Sequence, residues 1–143
     1  MRLTMIAVGV LSSIALGQAK PNADAEKAAE VSAEAWLKLV DAGKYTESWA
    51  EASSVFKAAV SVDDWKAKIG DVRNPPAPAG PGKLLSRKVR SKTYAEKLPG
   101  APDGKYVVIL YDAKYERKGD ALETITPMLD KDGKWRVSGY YIK

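Results

Sequence analysis

The periodicity of apolar residues changes once along this chain, from helical before residue 74 to alternating after residue 82, and the stretch between them reads NPPAPAGPG. Its four prolines and two glycines suit neither regular element, because proline has no amide to donate and fixes its own φ. The stretch reads as a stiff connector between two halves of one domain. A proline-rich recognition segment is the alternative.

Before the connector the pattern is helical. Within residues 24–41, Ala29, Ser32, Trp36 and Val40 recur on one side while Glu26, Lys27, Glu30, Glu34 and Lys38 cover the other. Asn22 is placed to cap the start and Gly43 to end it. A second set, Tyr45, Trp49, Ala52, Phe56 and Val60, predicts another amphipathic helix, broken near Ser53 and Ser54. A third opens at Ser61, whose hydroxyl can accept from the amide of Asp64, and buries Trp65, Ile69 and Val72. The tryptophans on these inward faces read as core more readily than as cofactor-stacking groups.

After the connector the period is two. Extended segments are expected over residues 84–97, 106–117, 121–129 and 135–142, with turns at PGAPDG, KGD and DKDG. Short connections between successive strands make an antiparallel meander. Helices grouped over about 24–72 and strands over about 84–143 argue for α+β, with the helices on one face of a curved four-stranded antiparallel sheet. The run YVVIL, residues 106–110, is expected at the middle of the sheet with both faces covered. Further on, Asp112, Lys114 and Glu116 alternate with Tyr111, Ala113 and Tyr115 where one face meets solvent.

At the amino terminus Arg2 precedes an apolar stretch over residues 3–16 that is too short for the ~20 residues of a membrane span. Small residues follow at Ala15-Leu16-Gly17 and Gly17-Gln18-Ala19, as a signal peptidase requires. The expectation is a signal peptide over residues 1–19 and a single domain over 20–143, exported to a periplasm or outside the cell, with no transmembrane span after cleavage. The formal net charge of +5 is mild, and without interleaved stacking aromatics it does not point to nucleic acid. The sequence has no cysteine and no histidine, which removes disulfides, thiolate metal sites, the commonest general base and the usual triads.

Several segments taken together resemble a bacterial exported family known as domain of unknown function 4019: VDAGKYTESW (40–49), AAVSVDDW (58–65), SRKV (86–89), LPGAPDGKYVVILY (98–111), ETIT (123–126) and DGKWRVSGYYIK (132–143). The resemblance implies small exported proteins without an assigned activity, similar in shape to the cone-like helix-and-sheet folds of the nuclear transport factor type (cystatin-like). No catalytic residue is carried over by it.

Cone-like folds of this kind often enclose a pocket in which a carboxylate acts as a base. Asp112, which follows the apolar run, is the candidate base, and Tyr140 or Tyr141, on opposite sides of the last strand, the candidate donor to an oxyanion. The simpler reading of Asp112 is a surface pair across the sheet. Between residues 71 and 96 every charged side chain is basic; Arg87, Lys88, Arg90 and Lys92 form a candidate anion-binding strand, with Lys88, Arg90 and Lys92 expected on one face. An edge strand guarded by cations is the simpler reading. DKDG suggests a hairpin rather than calcium, and no metal or cofactor is expected. The preferred function is a non-catalytic exported domain that binds a small apolar ligand or a protein partner in the sheet concavity. The alternatives are an isomerase, cyclase or dehydratase in the same pocket, and an adaptor to anionic envelope polymers or lipids.

Overall fold

The computed structural model describes residues 22–76 and 79–143. The leader expected over residues 1–19, and Ala77 and Pro78 of the connector, lie outside the described residues.

Helix α1 spans Ala23–Asp41, α2 Tyr45–Ala50, α3 Ser54–Ala59 and α4 Val62–Arg73. Strands β1 (Leu84–Ala95), β2 (Tyr106–Tyr115), β3 (Gly119–Leu129) and β4 (Trp135–Ile142) form one antiparallel sheet in the order β1-β2-β3-β4. The architecture is α+β, as the change of period requires.

Local chemistry explains the helix boundaries. The expected second helix is two, because Ser53 takes an extended conformation and caps α3 by accepting from the Phe56 amide. Ser61 does the same for α4 at the Asp64 amide, 3.2 Å. Asn22 makes no side-chain cap; only its carbonyl joins the first turn of α1. Val72 is 46 % exposed rather than buried, so the inward stripe of α4 is Trp65 and Ile69.

The core lies between the helices and one sheet face. Ala29, Ala33, Trp36 and Leu37 of α1 pack with Phe56, Trp65, Val107, Ile109, Ile125 and Val137. Small residues let α1 approach closely, and the indoles find partners despite burial: Trp36 Nε1 donates to the Ser48 carbonyl at 2.8 Å and Trp65 Nε1 to the Ser48 hydroxyl at 2.9 Å. Of the tryptophans expected on inward helical faces, Trp36 and Trp65 are core, and Trp49 is half-buried against it.

Two expectations about the strands need correction. Val108 and Leu110 are only half-buried, so the alternation of β2 runs its whole length and YVVIL is not covered on both faces. Tyr106, on the face away from the helices, is buried against the preceding loop, where Gly104 lies beside its ring and the Pro102 carbonyl accepts from its hydroxyl at 2.6 Å. The second correction concerns β1, where the register with β2 slips at Leu85 and again at Arg90. One extra residue reverses every side chain beyond it. Lys92 consequently faces the helices opposite Ile109, while Lys88 lies opposite Asp112 on the outer face.

A further irregularity sets Ser138 and Gly139 of β4 against Thr126 of β3. Pro127 follows directly, which is how an interior strand accommodates a residue without an amide donor.

Candidate functional site

Six elements each deliver one polar side chain to the same place on the helix-facing side of the sheet. Asp41 ends α1, Arg73 ends α4, and Arg87, Tyr115, Glu123 and Tyr140 come from β1, β2, β3 and β4 in turn. Strand parity accounts for the last four, since Glu123 lies between Ala121 and Ile125 on the inward set and Tyr140 opposes Ile125.

Glu123 is completely buried. Its Oε1 accepts from Arg87 Nε at 2.7 Å, and its Oε2 accepts from Arg87 Nη2 at 3.1 Å, from the Tyr115 hydroxyl at 2.9 Å and, through a short bond, from the Tyr140 hydroxyl. Asp41 accepts from Arg87 Nη1 and from Arg73 Nη2, both at 2.7 Å. Arg73 also donates to the Tyr140 hydroxyl at 3.3 Å, and its guanidinium stacks 5.1 Å from the Tyr115 ring centre. Two cations meet two anions, so the burial of charge is balanced within the group.

Each titration shift follows from that geometry. Burial pushes the Asp41 carboxyl up, but hydrogen bonds and charge from Arg87 and Arg73 outweigh it and hold the group below its ordinary range. Burial works against the charge of Arg87 as well, and its bonds to Asp41 and Glu123 leave it more basic than usual. The Tyr115 phenol is pushed up to about 12, first by burial and then by the Glu123 charge, and Tyr140 moves in the same direction for the same two reasons.

The network is nearly closed. Asp41 and Arg73 reach a cleft of about 600 Å³ between the ends of α1 and α4 and the strand entry at Lys83 and Leu84; Glu123 does not line it. Arg73 Nε is buried without a hydrogen-bond partner. Chemically this constellation ties six elements together, and it leaves the buried carboxylate with no face for a substrate.

The sequence-predicted residues are dispersed around it. Asp112 lies on the outer face, paired with Arg90 at 2.7 Å, and both side chains are largely solvated. It is far from the inner-face carboxylates in the sense that matters, because the sheet stands between them. Tyr140 enters the network, whereas Tyr141 points the other way and is 71 % exposed. Of the four cations expected to form one anion-binding strand, Arg87 is taken by Asp41 and Glu123, Lys92 pairs inward with Glu30 at 2.9 Å, and Arg90 holds Asp112; Lys88 makes no ion pair among the described residues. In DKDG, Asp130 accepts from the Ser54 amide and hydroxyl and Asp132 from Arg136, so protein donors occupy both carboxylates. Among the described residues no group of acidic side chains is arranged to hold a metal ion, and no helix is long and apolar enough to cross a membrane.

Asp41, Arg73, Tyr115 and the central role of Glu123 escaped the sequence reading. A charge on the inward parity of a strand is the signal that could have found Glu123, and it would have moved Arg87 from the anion-binding strand to the interior. Asp41 and Arg73 carry no such mark, because each ends a helix where charged residues are ordinary.

Fold and site together define a small α+β domain whose layers are locked by a buried, charge-balanced cluster. The chain belongs to the family described as "Protein of unknown function (DUF4019)", whose family model matches residues 32–140. No curated protein and no solved structure matches it.

Proposed function

We propose that this chain is an exported, non-catalytic domain that binds a protein partner. The observation that carries this reading is the filling of the space between helices and sheet by the chain's own rings. Trp36 packs against Phe56, Trp65 and Tyr140 at centroid distances of 6.4, 5.6 and 5.5 Å. A small apolar ligand in that concavity would have to displace them, which favours the partner over the ligand.

The enzyme alternative is weakened by geometry, since Asp112 is paired with Arg90 on the outer face and Glu123 is enclosed. The envelope adaptor is weakened by the pairing of Arg87, Arg90 and Lys92. Export rests on the apolar leader followed by small residues. A cone-like shape of the nuclear transport factor type belongs to the same proposal; it is supported by helices on one face of a sheet whose strands carry bulges, which bend them.

Photo-crosslinking side chains placed in the host at Leu85, Lys88, Tyr141, Val31 and Val72 test the reading. Capture of one protein from a contiguous subset of these exposed positions is expected. A small molecule retained one-to-one in native mass spectrometry, with no protein captured from any position, overturns it.

A further inference from the structure

The two edges of the sheet differ. At the β4 edge the helical layer intrudes: the Ser53 amide donates to the Val137 carbonyl at 2.9 Å, and the Ser32 hydroxyl to the Trp135 carbonyl at 2.8 Å. At the other edge, β1 has β2 as its only backbone partner among the described residues. An unpaired edge presents a row of free amides and carbonyls to any extended chain that reaches it.

Grooves flank this edge on both sides. Between α1 and β1 a groove of about 380 Å³ is floored by Leu37, Leu84, Val89 and Tyr111, and its charged lining is mixed, Glu34 and Asp41 beside Lys38, Arg87 and Lys88, which makes this side the one for apolar residues. Tyr111 is 2 % exposed and its hydroxyl has no hydrogen-bond partner. On the outer face a second groove of about 720 Å³ is lined by Lys88, Arg90, Asp112, Lys114, Asp120 and Leu122 among others; Arg90 is paired with Asp112 and Lys114 with Asp120, which leaves Lys88 without an ion pair among the described residues.

We propose that β1 is the receiving edge of a strand-addition site, taking a short, extended, acidic segment of a partner protein beside α1. The proposal rests on the partner-binding reading above and specifies its mode. Main-chain bonds to the edge would supply affinity, and the two grooves would read alternate side chains. Apolar residues would enter the α1 side, over Leu37 and Val89, while acidic ones would face Lys88 on the outer side.

Two observations select that occupant over a second copy of this chain. β1 carries no acidic residue, and although Arg87, Arg90 and Lys92 are paired within the chain, Lys88 makes no ion pair among the described residues. Antiparallel pairing of two copies through this stretch would therefore bring the unpaired Lys88 of each close together with no acid on either strand. Its slips at Leu85 and Arg90 leave Ser86–Val89 as the regular stretch next to the groove, which suits a short segment and rejects a long edge.

Short synthetic peptides alternating glutamate with valine and isoleucine are the probe, with lysine in place of glutamate in the control set. On isotope-labelled protein, the acidic peptide is expected to shift and slow the exchange of β1 amides, and to perturb α1 near Leu37. Lys88→Glu, at an exposed side chain outside the core, is expected to weaken that binding about tenfold, as removal and reversal of a complementary charge does. Three results overturn the proposal: equal binding of acidic and basic peptides, perturbation without slowed β1 exchange, or slowed β1 exchange that follows protein concentration alone. Photo-crosslinking of a partner only through Tyr141 would also overturn it, while leaving the partner-binding reading intact.

Discussion

Arg87 and Glu123 stand on strands that are not neighbours, yet Arg87 Nε donates to Glu123 Oε1 at 2.7 Å across the intervening strand. Ala113 makes this possible: it pairs with Arg87 on one side and Ala121 on the other, so the guanidinium crosses β2 above a methyl group. Two strand spacings amount to ~9.6 Å, which only a long side chain over a small neighbour can cover. Ala113→Leu is expected to block the crossing and overpack the site, lowering stability by about 1–3 kcal/mol. Urea denaturation, read as a shift of midpoint at constant slope, measures it.

Removing one partner of the cluster leaves the others buried and uncompensated. Glu123→Ala is expected to cost about 3–5 kcal/mol, whereas a combined Glu123→Leu and Arg87→Met replacement costs much less, because both charges leave together. The same denaturation series on the singles and the double gives the coupling; an additive outcome would contradict the account of the cluster as a unit.

Stability should fall at both ends of the pH scale, for opposite reasons. Asp41 has a depressed folded value, so its contribution is complete above its ordinary 3.8 and is lost as the pH drops through the lower folded value. Tyr115 is raised from 10 to about 12, so its contribution is complete below 10 and is lost as the pH climbs through the folded value. Tyr140 and Tyr111 shift the same way. Tyrosinate absorbance is expected to show these three phenols ionising together with unfolding; independent ionisation in a folded chain would contradict their burial.

The Tyr111 hydroxyl is buried without a partner. Tyr111→Phe therefore removes a desolvated polar group without breaking a bond, and is expected to leave stability unchanged or raise it by up to about 1 kcal/mol. Thermal unfolding of the variant checks this, and a marked loss would reveal a partner for that oxygen.

Asp112 makes a solvated pair with Arg90. Asp112→Asn is expected to change stability by no more than about 1 kcal/mol. Denaturant midpoints in low and high salt separate that pair from any deeper role, since a surface pair is screened and a buried one is not.

The architecture was legible because each of its determinants is local. Helical spacing around Trp36 and Trp65, the break near Ser53, the cap at Ser61, the proline-rich connector and the alternation over residues 111–116 are all read within a few residues of one another. The same locality explains where reading failed. A slip at Arg90 depends on how β1 meets β2, and it moved Lys92 from the outer face to a pair with Glu30.

What the amino-acid order determined by itself was therefore the order and type of elements, the class of fold and most of the apolar core. The tertiary structure alone decided which charges became partners. Asp41, Arg73, Arg87 and Glu123 are brought within bonding distance from the ends of two helices and from two separate strands. Ion pairing inside a low-dielectric layer depends on distance and shared burial, and neither is a property of sequence neighbours.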